Sequence, residues 1–373
     1  MESRLPGRLL IIFLALWRCM FRRAYDPTQA YRRILVAHHL LLGDTLLLTP
    51  MLAKLRQRYP KAEIWMTVIP PLVSLYEGRP YGVRVLPYHP KQVSTLWALL
   101  KFSHFDLAIV PGDNRYAWLA RALGARTIVA LAGDGHAWKD WQVDRHVPWP
   151  NAPCTLAEIF TTLVDGQAPP PYTPSQWPFV PSGHVVPASP YYVLHVSARN
   201  PLRRWSATHW HSLANLVRQR GVRIVWSTAP GEAALLESVA PAPSDIQIPG
   251  TLDLPGLRLL LTHASGLITV ETGIAHLCRI TSTPSVVIFG QGNPMLHGNE
   301  PFWQSASPMQ PVFDENIPCR DQSKVFDRLL PWIKRCDRTW PQCSEVRCMQ
   351  ALTVEAVMVA ALPLLHGECC GKR

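Results

Sequence analysis

The chain has 373 residues, 48% of them hydrophobic, and a formal charge of +11. That length suggests two domains, and that composition is enough for sizeable cores. The excess charge is mostly Arg and is spread along the chain. It has no zinc-finger spacing or RNA-binding aromatic signature beside it, so nucleic acid is set aside in favour of an anionic membrane surface or a phosphorylated substrate.

Nine cysteines form no CxxC pair and are odd in number, which points to reduced thiols. Cys319, Cys336, Cys343 and Cys348 cluster late, and a structural metal or one local disulfide is the alternative reading there.

Residues 9–17 are a continuous apolar run, with Arg4 and Arg8 before it and Arg18, Arg22 and Arg23 after it. A bilayer span needs about 20 apolar residues, so this run is too short to cross. No small-residue cleavage site follows it. Residues 1–30 therefore read as a basic, apolar segment lying in a membrane interface, with a non-native start or a disordered leader as the alternative.

Residues 31–165 alternate strands and helices, the pattern of a parallel sheet covered on both faces. Strands are expected at 34–37, 62–68, 83–86, 105–110 and 127–131, and helices at 93–101 and 117–123. The organising stretch is 34–50, ILVAHHLLLGDTLLLTP. An apolar strand passes through a Gly43-Asp44 turn into a helix that carries Leu47, Leu48, Met51, Leu52, Leu55 and Tyr59 at helical spacing. Asp44 then stands at the carboxyl edge of a parallel sheet, where open α/β folds keep their ligand crevices. Asp is also a favoured helix cap, which is the plainer reading. His38 and His39 sit side by side on a strand-like run and point to opposite faces, a poor chelating pair.

Residues 166–190 are dense in Pro and read as an extended linker. A second α/β unit occupies 191–350, with strands at 191–196, 222–227, 266–270 and 285–289. Its helices start at Ser206 and at Gly231-Glu232, and run over 254–263 and 272–280. The tail is irregular from about 293, and residues 351–373 are read as a last helix and tail.

Three groups in this unit can carry chemistry. Glu271-Thr272-Gly273 opens a helix directly after a strand. Backbone N–H groups and the Thr272 hydroxyl suit a phosphate there, Glu271 suits a sugar or ribose hydroxyl, and His276 lies one turn on, on the same face. The alternative is a capped helix with His276 in the core. Ser197 follows the unit's first strand, and Arg199, Arg203 and Arg204 offer forked donors to a diphosphate, or form a solvated basic loop. Glu232 is placed for ribose contact or is an ordinary first-turn acid. No GxGxxG, Walker, GxSxG or HExxH motif occurs, and no metal site is expected.

Together these stretches resemble glycosyltransferase family nine, the heptosyltransferases of lipopolysaccharide inner-core assembly. The resemblance runs from about Arg33 to Leu364. It is carried by LLGDTLLLTPMLAKLRQRYPKAEI, FDLAIVPGDNRYAWLARALGA, HVSARNPLRRWSATHWHSLA and VETGIAHLCRITSTPSVVIFGQGNP, with RCMQALTVEAV near the end.

The resemblance implies a GT-B fold, α/β, of two Rossmann-like doubly wound domains facing across a cleft. It implies inverting, metal-independent transfer of heptose from ADP-heptose to lipid A-linked Kdo or a core heptose. The partners are a nucleotide-sugar donor, a lipid-linked saccharide acceptor and an anionic inner-membrane surface at its cytoplasmic face. No cofactor is expected, since the ADP-sugar is a substrate. Asp44 matches the family's catalytic base, with Gly43 and His38 on the acceptor side. Thr272, Gly273 and His276 match the donor-phosphate motif, Ser197 and Arg203 (alternatively Arg204) the phosphate loop, and Glu232 a nucleotide-contacting acid.

Three positions depart from the family pattern: Glu271 replaces an Asp, Arg203 replaces a Lys, and residues 38–42 replace a basic and small polar lead-in. The alternatives to heptose transfer are another nucleotide sugar, or a catalytically silent GT-B protein serving as a membrane-associated binding module.

Overall fold

The computed structural model describes residues 4–180, 183–188 and 190–365. The chain divides into two compact units. Unit 1 holds residues up to Pro170 with Gln176–Pro178 and Lys324–Trp332; unit 2 holds Pro171–Ser175, Phe179–Ser323 and residues from Ile333 on.

Unit 1 begins with helix α1 (Leu5–Arg18) and continues through β1 (Arg33–Val36), α2 (Leu42–Leu46), α3 (Thr49–Arg58), β2 (Glu63–Val68) and β3 (Val83–Pro87). There follow α4 (Val93–Leu100), β4 (Leu107–Val110), α5 (Tyr116–Ala122), β5 (Thr127–Leu131), α6 (Ala137–Asp140), β6 (Arg145–Val147) and α7 (Leu156–Thr161). Unit 2 contains β7 (Tyr192–His195), α8 (Ala207–Arg218), β8 (Ile224–Ser227), α9 (Ala234–Val239), β9 (Ile246–Ile248), α10 (Leu254–His263), β10 (Gly266–Val270) and α11 (Gly273–Ile280). It closes with β11 (Ser285–Phe289), α12 (Pro294–His297), α13 (Pro301–Gln304), β12 (Met309–Phe313), α14 (Arg347–Gln350) and α15 (Val354–Leu365).

Both sheets are parallel throughout, ordered β3-β2-β1-β4-β5-β6 and β12-β11-β10-β7-β8-β9. Numbered within its own unit, each sheet has the same order. The order reverses between β1 and β4 in one unit and between β7 and β10 in the other, and open α/β sheets bind ligands at the carboxyl ends beside such a reversal. The strands β4, β5, β7, β8, β10 and β11 are buried at every residue, as expected of parallel strands covered on both faces.

Helix formation follows local chemistry. Ser206 caps α8 by accepting from the His209 N–H, and Trp210, Leu213, Ala214 and Val217 form its buried face. Asp253 caps α10 in the same way, through the Gly256 N–H. The helix expected at Gly231-Glu232 starts later, at Ala234, because Gly231 has φ +81° and makes a turn instead.

Three edge strands, β6, β9 and β12, escape the sequence pattern. Two are only three residues long, and the third contains Pro311, which an edge position tolerates. The expected irregular tail is therefore partly sheet. The last helix is not a separate tail element, since Val354, Val357, Met358, Ala361 and Leu364 of α15 belong to the unit 2 core.

Segment Lys324–Trp332, placed by sequence order in the second unit, belongs to unit 1. Its β13 (Lys324–Val325) and β14 (Arg328–Leu329) pair as a short hairpin. Arg328 fixes it there by donating to the carbonyls of Gly112, Leu131 and Ala132 and to Asn114 Oδ1. The Pro-rich linker is likewise anchored: Tyr172 donates to the Ile280 carbonyl in unit 2, and buried Trp177 to the Leu75 carbonyl in unit 1.

The basic N-terminal segment is partly spent on packing. Gly7 and Ala15 are buried, and Ala15 joins Trp118 and Ala122 of α5. Arg18 donates to the Ala122 carbonyl and Arg22 pairs with Asp144 at 2.8 Å, so these two charges hold the segment to unit 1. No helix among the described residues is long and apolar enough to cross a membrane.

Replacing Arg328 by Ala takes the side-chain donor from the Gly112 carbonyl and Asn114 Oδ1, while Leu131 and Ala132 keep donors in Asn114 and Trp149. The expected cost is about 3 kcal/mol in urea unfolding, with faster proteolysis within 324–332. An unchanged unfolding midpoint would show that this strap is not held by Arg328.

Candidate functional site

Unit 2 gathers its charged side chains at the reversal between β7 and β10. Glu271 follows β10 directly and is 5% exposed. Its Oε1 lies 3.6 Å from Arg203 Nη1 and 3.3 Å from His297 Nδ1; the latter is a charge contact and not an aligned hydrogen bond. Burial alone would raise the Glu271 pKa. The nearby charges of Arg203, His297 and Arg335 outweigh it and hold the carboxyl at about 2. A Cβ on Gly292 would meet the Glu271 carboxylate, so the bare backbone at residue 292 lets the loop after β11 pass against it without displacing the acid.

Thr272 caps α11, accepting from the Ile274 N–H at 3.2 Å, and Gly273 is the first helical residue. The cap reading and the phosphate reading coexist there, since a capped N-terminus still presents N–H groups. His276 is buried in α11 and its ring centroid is 6.0 Å from that of His297. Burial, with the charges of Arg279, His297 and Arg203 around it, pushes the His276 pKa well below 6.5. Its Nδ1 is buried with no hydrogen-bond partner.

The other predicted residues divide into separate pairs. Arg204 is paired with Glu232 at 2.5 Å, so the acid read as a ribose contact is engaged with a neighbouring arginine. Ser197 is buried and accepts from the Ala229 N–H, tying the ends of β7 and β8 together. Arg203 thus faces Glu271 while Arg204 faces Glu232, a division that the sequence leaves open.

Sequence reading misses His297, Gln291, Asn200 and Arg279. Asn200 donates to Gln291 Oε1 at 2.6 Å, joining the arginine loop to the end of β11. Buried Arg279 donates to the carbonyls of His297 and Gly298, which fixes α12 beside Glu271. Asn200 and Gln291 lie inside quoted stretches, but no spacing rule marks His297.

In unit 1, Gly43-Asp44 lies inside the first turn of α2 and not in a turn before the helix, and the N-cap position is Leu41. Asp44 is therefore not the cap. Its half-buried carboxylate still benefits from the helix dipole.

His38 corrects one expectation: it is fully buried and cannot face an acceptor. Its Nδ1 accepts from the Leu40 N–H, and the Thr67 hydroxyl bridges its backbone N–H and carbonyl. Burial lowers its pKa to about 3. The half-buried partner, His39, stacks on Tyr116 with centroids 6.3 Å apart and lies near Tyr88 and His89.

No disulfide joins the described cysteines, and no group of three or more His, Cys, Asp or Glu among the described residues is arranged to hold a metal.

Two doubly wound units, each with polar groups at its sheet reversal, define a two-domain α/β protein. The family model described as glycosyltransferase family 9 (heptosyltransferase) matches residues 93–329, and the chain belongs to that family. It is 24% identical to the lipopolysaccharide heptosyltransferase 3 of Escherichia coli, over 78% of this chain and 96% of that protein. The solved E. coli ADP-heptose lps heptosyltransferase II shares the fold at a TM-score of 0.68 and 15% identity, covering 91% of this chain and 100% of that one. The E. coli heptosyltransferase WaaC with ADP superposes at a TM-score of 0.60 and 19% identity, over 75% of this chain and 93% of that one.

Buried neutral histidines set an acid limit. Burial lowers His38 to about 3 and His195 to about 4, and His276 also falls well below 6.5. Because the folded values are depressed, the unfolded chain takes up protons first as pH drops. Each histidine then removes up to about 1.4 kcal/mol per pH unit below pH 6.5. Glu271, held at about 2, adds to the loss only below about its ordinary 4.5. The melting temperature should fall steadily from pH 7 to pH 5, and a flat profile would contradict the neutral burial.

Proposed function

We propose that the protein is an inverting heptosyltransferase, moving heptose from ADP-heptose onto a lipopolysaccharide inner-core acceptor, lipid A-linked Kdo or a core heptose. The single observation that carries the reading is the reversal site of unit 2, where the α11 N-terminus, Arg203 and Glu271 converge.

In this reaction Asp44 takes the proton from the acceptor hydroxyl as that oxygen attacks the anomeric carbon. The bond from that carbon to the ADP oxygen breaks on the opposite face, which inverts the centre. Negative charge grows on the departing diphosphate, and N–H groups at Thr272-Gly273 together with Arg203 are suited to receive it. Glu271 cannot approach a phosphate without repulsion. Its roles are to hold Arg203 in place and to accept from a sugar hydroxyl. Ser197 and the Arg204–Glu232 pair shape the neighbouring loop.

Fixed cations and a helix N-terminus supply the positive charge, which supports a metal-independent reaction with no cofactor beyond the ADP-sugar substrate. The lead-in at 38–42 departs from the family pattern and bears on the acceptor, so donor and acceptor are best screened together.

The enzyme works at the cytoplasmic face of the inner membrane, as a peripheral protein. Leu5, Leu9, Phe13, Leu16, Trp17 and Met20 on and beside α1 are more than half exposed, and arginines flank them. An apolar face with basic neighbours binds anionic lipid interfaces.

Asp44→Asn should lower turnover by about 100-fold or more while ADP-heptose binding persists, measured with lipopolysaccharide cores truncated to different depths. Retained turnover would remove Asp44 from the role of base. In vesicle flotation, L9D/F13D should release the protein from phosphatidylglycerol membranes, and unchanged flotation would move the membrane surface elsewhere.

A further inference from the structure

A cavity of about 580 Å³ in unit 1 lies between α1 and the carboxyl edge of the first sheet. Its sheet-side lining follows strand ends in turn: His39 after β1, Tyr88 after β3, Arg115 and Tyr116 after β4, and Lys139 after β5. Arg4 and Arg8 line the opposite wall, from α1. This helix precedes the stretch that resembles the family, which begins near Arg33, so the wall that Arg4 and Arg8 form lies outside the quoted family motifs, whereas Arg115 and Tyr116 lie within one.

The cations of the lining differ in what they face. Lys139 is held by Asp134 at 2.8 Å and by Asp327 at 3.2 Å, and Arg115 by Asp113 at 2.6 Å. The carboxylate that lines the cavity, Asp327, is thereby already paired. Arg4 and Arg8 have no ion pair recorded among the described residues. Arg4 bears electrostatically on His39, Tyr88 and Tyr116, so its charge acts into the cavity. His39 Nε2 is buried with no hydrogen-bond partner, and the ring itself stacks on Tyr116.

Two guanidinium groups unpaired among the described residues, an unpartnered ring nitrogen and flat aromatic faces recognise one kind of molecule. The guanidinium groups take an anionic oxygen cluster through forked hydrogen bonds. The aromatic faces take the apolar side of a pyranose ring, and the half-enclosed volume matches a small ligand.

We propose that this cavity binds an acidic saccharide headgroup, its carboxylate or phosphate held between Arg4 and Arg8 and its ring lying against Tyr88, Tyr116 and His39. The transferase reading is needed only to name that saccharide as the acceptor. The exposed apolar side of the same helix then leaves any attached acyl chains in the lipid surface while the headgroup enters the cavity.

The test uses the full chain, without vesicles, and calorimetry with a deacylated Kdo-bearing core oligosaccharide in phosphorylated and dephosphorylated forms. R4E/R8E should weaken binding by about tenfold or more and R4K/R8K by no more than about threefold, with ADP binding unchanged in both. Loss of affinity on dephosphorylation assigns the anionic group as phosphate, and retention assigns it as the Kdo carboxylate; either supports the cavity. Equal binding by R4E/R8E and the parent protein would overturn the proposal. So would a parent protein that binds phosphatidylglycerol vesicles but not the oligosaccharide. If the oligosaccharide binds through Arg4 and Arg8 but no heptose is transferred to it, the cavity stands and the transferase reading falls.

Discussion

A parallel strand covered on both faces has little room for charged side chains along its length. In both units this constraint decides where chemistry can occur. Strands β4, β5, β10 and β11 are buried from end to end and carry no charged side chain, so charged groups emerge only where the chain leaves them. Asp113 and Asn114 follow β4, Asp134 follows β5, Glu271 and Thr272 follow β10, and Gln291 follows β11. The identical strand order of the two sheets makes this true twice in one chain.

The same constraint explains what was legible in the sequence. Segments 127–131, 266–270 and 285–289 are read to the residue because a fully buried strand is a bounded apolar run. Helix α10 is read to the residue because its face, cap and flanking breaks agree. Edge strands carry a weaker signal, as in β6, where His146 is exposed and Arg145 half-buried.

The site was legible where it is local. Thr272, Gly273 and His276 sit on one helix, and their relation follows from its pitch. It was illegible where it depends on distant partners. The choice of Glu271 by Arg203 and of Glu232 by Arg204, the arrival of His297, and the return of Arg328 to unit 1 all join residues far apart in sequence.

The positive charge also changes meaning in three dimensions. Arg121, Arg258, Arg279, Arg320 and Arg328 are buried, and several donate to backbone carbonyls. They act as internal fasteners for loop ends whose carbonyls would otherwise be stranded. The formal charge of the chain therefore overstates the field at its surface. What remains outside is more local, and the exposed Arg4 and Arg8 at the start of α1 are part of it.

The close passage of Gly292 against Glu271 makes the length of the acid and the bareness of residue 292 a single choice. Shortening the acid by one methylene, to Asp, withdraws the oxygens from the loop and opens room for a side chain at 292. Keeping Glu means that a side chain there must push the carboxylate aside, away from Arg203. Among relatives, the two positions should thus drift as a linked pair, a long acid favouring glycine and a short acid leaving its neighbour freer to vary.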